Sequence, residues 1–113
     1  VLVVEDDGLI ASLLTDDLNE FGLVVIGPAG NLTDATAIAS TSALDAALID
    51  IALGEESALP VAQILANRHI PFVFMTGASD NPEGTFHQVP ALRKPFTVEE
   101  LRRAMRHMLQ PLC

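Results

Sequence analysis

Five short apolar runs alternate with stretches of helical periodicity or polar loop along the whole chain, and this alternation limits the fold more than any other property of the sequence. Val1-Leu2-Val3-Val4, Leu23-Val24-Val25-Ile26, Ala46-Ala47-Leu48-Ile49-Asp50, Pro71-Phe72-Val73-Phe74-Met75 and a short run around Ala91-Leu92-Arg93 read as strands. Runs apolar on both faces suit a parallel sheet covered on two sides. Between the first two, Ile10, Leu14, Leu18 and Phe21 recur at helical spacing, with Asp6 or Asp7 available as N-cap and Gly22 as the stop. Asn31 opens a second helix carrying Leu32, Ala35, Ile38 and Ala39, which ends in Ser40-Thr41-Ser42. After a loop through Gly54-Glu55-Glu56, a third begins near Ala58 with Pro60 in its first turn and ends near His69. Thr97-Val98-Glu99-Glu100 is a capping box, and Val98, Leu101, Met105 and Met108 form the apolar stripe of the helix it opens. Between Thr76 and Lys94, the Asp80-Asn81-Pro82 turn, Gly84 and Pro90 leave room for one or two helical turns at most.

Strand and helix in alternation predict an α/β domain: a parallel sheet, helices on both faces and right-handed crossovers. At 113 residues we expect one domain spanning 1–113, with a core that needs no disulfide or metal. The lone Cys113 cannot form an internal bridge, which fits a reducing cytoplasm. No apolar run reaches the roughly 18 residues of a membrane span. The chain opens on Val1 inside a strand-like run without a Met, so we expect either a trimmed chain or a piece of a longer polypeptide.

Charge adds two constraints. A net charge of −9 argues against direct nucleic-acid binding, since phosphate backbones require Lys and Arg. Residues 1–56 hold eleven acids and no Lys or Arg, whereas the remainder holds four acids and six bases, among them the only lysine, Lys94.

In sheets of this kind ligands sit beyond the C-terminal strand ends. Those ends carry Glu5 and Asp6, then Asp50, Thr76 and Lys94. Taken alone, Asp50 can equally cap a turn before Leu53-Gly54. Gathered at one rim, three carboxylates either raise a pKa or hold a hard cation, and oxygen-only ligands favour Mg²⁺. With a hydroxyl and an ammonium converging on the same place, the set has what phosphoryl transfer requires, Asp50 being the nucleophile.

Val-Val-Glu-Asp-Asp, Leu-Ile-Asp50, Met-Thr76-Gly and Leu-Arg-Lys94-Pro-Phe, in this order, resemble the receiver domain of two-component response regulators over essentially the whole chain. The resemblance implies a flavodoxin-like, doubly wound (βα)5 fold with a five-stranded parallel sheet of order 2-1-3-4-5. It further implies that Asp50 is the phosphoacceptor, that Asp6 ligates Mg²⁺ directly and Glu5 through water, and that the backbone carbonyl of Ala52 is a further metal ligand. Thr76 becomes the switch hydroxyl, Lys94 the partner of the acyl phosphate, and Lys94–Pro95 a cis bond. The implied phosphodonor is a histidine kinase or a histidine phosphotransfer protein, docked on the first helix, whose polar side carries Asp16, Asp17 and Glu20. Such a domain is a signalling module rather than an enzyme in the ordinary sense.

Two departures from the family pattern stand out. Position 91, three before the lysine, is Ala where most receivers have Tyr or Phe, and the Thr76–Lys94 interval is short. With Phe74-Met75-Thr76-Gly77, these departures resemble the FAT GUY subgroup, often paired with HWE-type kinases. A pseudo-receiver, an interaction module that works without phosphorylation, is the alternative; Ala91 favours it, while the intact site set argues against it. A phosphotransferase on a related fold is a third reading, but Asp50-Ile51-Ala52 lacks a second acid two residues on. The positions two after Asp50 and two after Thr76, which in the family the chain resembles influence the hydrolytic water, are Ala52 and Ala78; neither can orient water, which implies self-dephosphorylation that depends on access. His69, His87 and His107 show no metal spacing, and Arg102, Arg103 and Arg106 form a basic helix face. The Gly- and Pro-rich stretch from Ala78 to Pro90 follows Thr76 and is the segment expected to respond to phosphate. Hydrogen exchange across 78–90 should therefore change when a phosphate mimic is added, and unchanged protection would refute this.

Overall fold

The computed structural model describes residues 1–77 and 90–109. In chain order the elements are β1 (Leu2–Val4), α1 (Gly8–Glu20), β2 (Ile26–Ala29), α2 (Leu32–Thr41), β3 (Ala47–Asp50), β4 (Ala52–Leu53), β5 (Glu56–Ser57), α3 (Leu59–Asn67), β6 (Phe72–Thr76), β7 (Ala91–Arg93) and α4 (Val98–Leu109). Five strands form one sheet in the order β2-β1-β3-β6-β7, every neighbouring pair parallel. Numbered within that sheet alone, this is the 2-1-3-4-5 order of a flavodoxin-like fold. The remaining two strands, β4 and β5, pair only with each other, antiparallel.

Alternation along the strands sorts the apolar residues onto two faces. Leu2, Val4, Ala47, Ile49 and Phe74 pack with Ala35, Ala39, Val61, Ala62 and Leu65 of α2 and α3. Val3, Leu48, Val73, Met75 and Leu92 pack instead with Leu14 and Leu18 of α1 and Leu101 and Met105 of α4. The central strand β3 is buried along its whole length, including its last residue, Asp50. No described helix is long and apolar enough to cross a membrane.

Local signals set the helix starts. Asp7 Oδ1 accepts from the N–H groups of Leu9 and Ile10 and so is the N-cap of α1, which leaves its neighbour Asp6 free for the sheet rim. Asn31 Oδ1 accepts from Asp34 N–H at α2. At α4 the capping box is complete: Glu100 N–H donates to Thr97 Oγ1 and Thr97 N–H to Glu100 Oε1. Arg68, just beyond α3, donates to the carbonyls of Ala39 and Ser42 and so closes the C-terminal end of α2.

Three features differ from the sequence expectations or fall beyond them. The second strand lies three residues later than the Leu23–Ile26 run and includes Gly27-Pro28. Residues 23–25 form its lead-in, and Leu23 N–H closes the end of α1 by donating to Leu18 O. Pro28 is tolerated because β2 is an edge strand. The loop expected after Asp50 contains the β4–β5 hairpin, whose two-residue strands are too short to leave a periodic signal. The expected short fourth helix, the proposed responsive segment up to residue 89, His87 and Cys113 lie outside the described residues.

Gly27 carries the irregular register of β1 against β2. Its φ is +100°, and a Cβ there would stand 2.9 Å from Ala29 N and 3.3 Å from Val3 O, both backbone atoms. Gly27→Ala should therefore cost about 2 kcal/mol or more, from left-handed strain plus the clash. A urea midpoint equal to that of the wild type would contradict this packing of β2 on β1.

Candidate functional site

The site lies at the C-terminal rim of the sheet, where β1, β3, β6 and β7 end next to one another. β1 runs into Glu5 and Asp6, β3 ends on Asp50, β6 ends on Thr76, and β7 leads into Lys94. Glu5, Asp50 and Thr76 are the buried polar residues among those described, at 3%, 6% and 4% exposure, whereas Asp6 is exposed.

Lys94 holds this rim together. Its Nζ donates to Asp50 Oδ2 at 2.8 Å and to Glu5 Oε2 at 3.0 Å, and so bridges two carboxylates that would otherwise face each other unpaired. Backbone bonds fix its position: Lys94 N–H donates to Thr76 O at 2.7 Å, next to the Thr76–Arg93 register pair. The Lys94–Pro95 bond is cis, and so is Gly27–Pro28.

Each carboxylate also takes one backbone N–H. Asp50 Oδ1 accepts from Ala52 at 3.1 Å, Asp6 Oδ2 from Gly54 at 2.9 Å, and Glu5 Oε1 from Asp7 at 3.3 Å. These bonds do not balance the charge, since three acids meet one ammonium. Glu5 is accordingly pushed up to about 7, first by burial and then by the Asp50 carboxylate beside it, with Lys94 pulling the other way. For Lys94, burial acts to lower the pKa, but the bonds and charges of Asp50 and Glu5 outweigh it and leave the ammonium favoured.

A ligand oxygen from each of Glu5, Asp6 and Asp50 lies within 4.8 Å of the other two. An oxygen-only set short of positive charge fits a hard divalent cation. Glu5, Asp6 and Asp50 are the side chains that would hold it. Of the residues singled out in the sequence, the structure thus gathers Glu5, Asp6, Asp50 and Lys94 and sets Thr76 beside Lys94. Ala52 is at the same place, because its N–H binds Asp50. His69 and His107 stand apart on the exposed surface. The sequence reading missed Gly54, whose N–H reaches Asp6 across 48 positions; a glycine in a polar loop leaves no signal of such a contact.

Fold and rim together are those of an α/β signalling module, and the chain belongs to the response regulator receiver domain family, whose profile matches residues 1–106. It is a domain of two-component signalling. Among solved structures it is similar to the solution structure of SdrG from Sphingomonas melonis Fr1, with 40% identity and a TM-score of 0.84, covering 96% of this chain and 93% of that one. It is similar also to the BeF3-activated conformation of SdrG from Pseudomonas melonis Fr1, with 40% identity, a TM-score of 0.78 and coverage of 96% and 93%. The receiver domain of the Erythrobacter litoralis response regulator PhyR shares 26% identity, with a TM-score of 0.78 and coverage of 99% and 93%. No curated protein matches the chain.

If Lys94 offsets charge that a cation can also offset, its removal should make the protein depend more on that cation. Lys94→Met should destabilise the metal-free protein by about 1–3 kcal/mol, below the cost of breaking a fully buried pair because the lysine is partly exposed. Added Mg²⁺ should then raise the melting temperature of Lys94→Met by more than that of the wild type. Equal shifts would show that lysine and metal do not share these carboxylates.

Proposed function

We propose that this domain accepts a phosphoryl group on Asp50 from a phosphohistidine of a histidine kinase, of the HWE type, or of a histidine phosphotransfer protein, and that it signals by the resulting change of surface. The observation that carries this reading is the pair of bonds from Lys94 to Asp50 and Glu5 at the mouth of the sheet. They leave a carboxylate held at a parallel sheet's C-terminal rim with a mobile-headed cation already on it.

In the step proposed, an Asp50 carboxylate oxygen forms a bond to phosphorus as the phosphorus–nitrogen bond of the donor breaks. The electron pair of that bond stays on the imidazole. Lys94 Nζ, already on Asp50 Oδ2, is placed to follow the new charge onto a phosphoryl oxygen, and the Thr76 hydroxyl is proposed to take another. Glu5, Asp6, Asp50 and the Ala52 carbonyl are proposed to hold Mg²⁺, which would supply electrostatic stabilisation of the transferred oxygens. Ala52 also brings no side chain able to orient a water toward the acyl phosphate.

That SdrG, at 40% identity, has a BeF3-activated conformation supports the same reading for this chain. Membership of the FAT GUY subgroup is proposed from Phe74-Met75-Thr76-Gly77 and from Ala91, which is exposed on β7 opposite Phe74. Without an aromatic ring at 91, the change at Thr76 must reach the surface by another route.

Incubation with Mg²⁺ and acetyl phosphate should add one phosphate-sized mass to the wild type and none to Asp50→Asn. No gain in the wild type would favour a pseudo-receiver that works without phosphorylation.

A further inference from the structure

Of the three carboxylates, Asp6 differs in what holds it. Glu5 and Asp50 each give one oxygen to a backbone N–H and the other to Lys94. Asp6 gives Oδ2 to the Gly54 N–H, and among the described residues its Oδ1 has no hydrogen-bond partner. It is also the exposed member of the set. A cation arriving from solvent therefore meets one uncommitted carboxylate oxygen, on Asp6.

What holds that oxygen in place is the β4–β5 hairpin. Gly54 is the first residue of its two-residue turn and has φ +60°, a conformation that suits glycine and is tolerated by Asn. The turn itself is anchored, because Leu53 is buried at 4% exposure and Ala58, just after β5, donates to Ile51 O. The same short segment also supplies the Ala52 N–H to Asp50. One hairpin thus places N–H donors two residues apart on Asp50, the last residue of β3, and on Asp6, two residues beyond β1.

We propose that Gly54 is a positioning residue for the metal site: its N–H fixes Asp6 Oδ2 and thereby presents the other oxygen of Asp6 to the cation. The proposal rests on the metal-binding part of the function proposed above. A carboxylate ligand oriented by an outer hydrogen bond binds a cation without first losing the freedom to rotate. Gly54 touches neither substrate nor metal and acts only through Asp6.

The test has a metal-free arm and a metal arm. In metal-free protein, the Gly54 amide should exchange slowly with solvent in the wild type and in Asp6→Asn, which keeps an acceptor, and quickly in Asp6→Ala. Equal exchange in wild type and Asp6→Ala would overturn the proposal. In the second arm Mg²⁺ alone is titrated and followed by amide chemical shifts. Exchanging Gly54 for glycolic acid by semisynthesis, which replaces the N–H by an ester oxygen and still allows φ +60°, should weaken Mg²⁺ about tenfold. Gly54→Asn, which keeps the N–H and the left-handed turn, should stay within about twofold of the wild type. In an Asp6→Ala background the glycolic acid exchange should cause no further loss, since the two changes remove one interaction. Independent, multiplying losses would assign Gly54 a merely structural role and overturn the proposal. An affinity unchanged by Asp6→Ala alone would instead overturn the metal-binding reading on which it rests, whatever Gly54 does.

Discussion

A carboxylate at the end of a fully buried strand is stable only if a positive charge reaches it, and the rest of this structure is arranged so that one does. Burial and the neighbouring Asp50 carboxylate both oppose ionisation of Glu5, and its rise to about 7 records how incompletely that opposition is met. Lys94 meets it from the edge of the sheet, fixed there by the backbone bond to Thr76. The parallel order β1-β3-β6-β7 therefore does more than form a core: it sets the ends of four strands next to one another, so that one ammonium spans two carboxylates. A deficit of positive charge remains, and an oxygen-only cluster of that kind fits a divalent cation.

The connections divide the polar work at this rim. Of two adjacent aspartates, Asp7 turns outward to cap α1 and Asp6 turns toward the carboxylate cluster. The β3–α3 connection is ordered as a hairpin and gives N–H groups to both Asp6 and Asp50. Backbone donors suit this task because they carry no rotamer entropy and cannot be titrated. The side-chain positions are thus set largely by main chain, and the one long flexible side chain in the cluster is the cation itself.

Much of this arrangement was legible in the sequence, and the reasons are specific. Strands apolar on both faces fixed the parallel sheet, the capping box at Thr97 and the cap at Asn31 fixed two helix starts, and the strand-end residues named the members of the rim. The errors came where tertiary contacts overrode local pattern. Leu23-Val24-Val25 has strong β propensity, yet the strand is displaced toward Ala29, because pairing with β1 requires Gly27 to pass close to Val3. The choice between Asp6 and Asp7 as cap was open, since both are good caps and only the folded rim separates them. The Gly54 contact could not be read at all, as a backbone N–H looks the same in every residue but proline.

The sequence separations within the lysine bridge carry a consequence for synthesis of the chain. Lys94 is 44 positions from Asp50 and 89 from Glu5. A nascent chain that has left the ribosome only through β3 holds all three acids and none of their cation. Charge balance at the rim is reached only when β7 has docked, so the domain acquires its chemistry last, and incomplete copies carry the acids without the balanced pair.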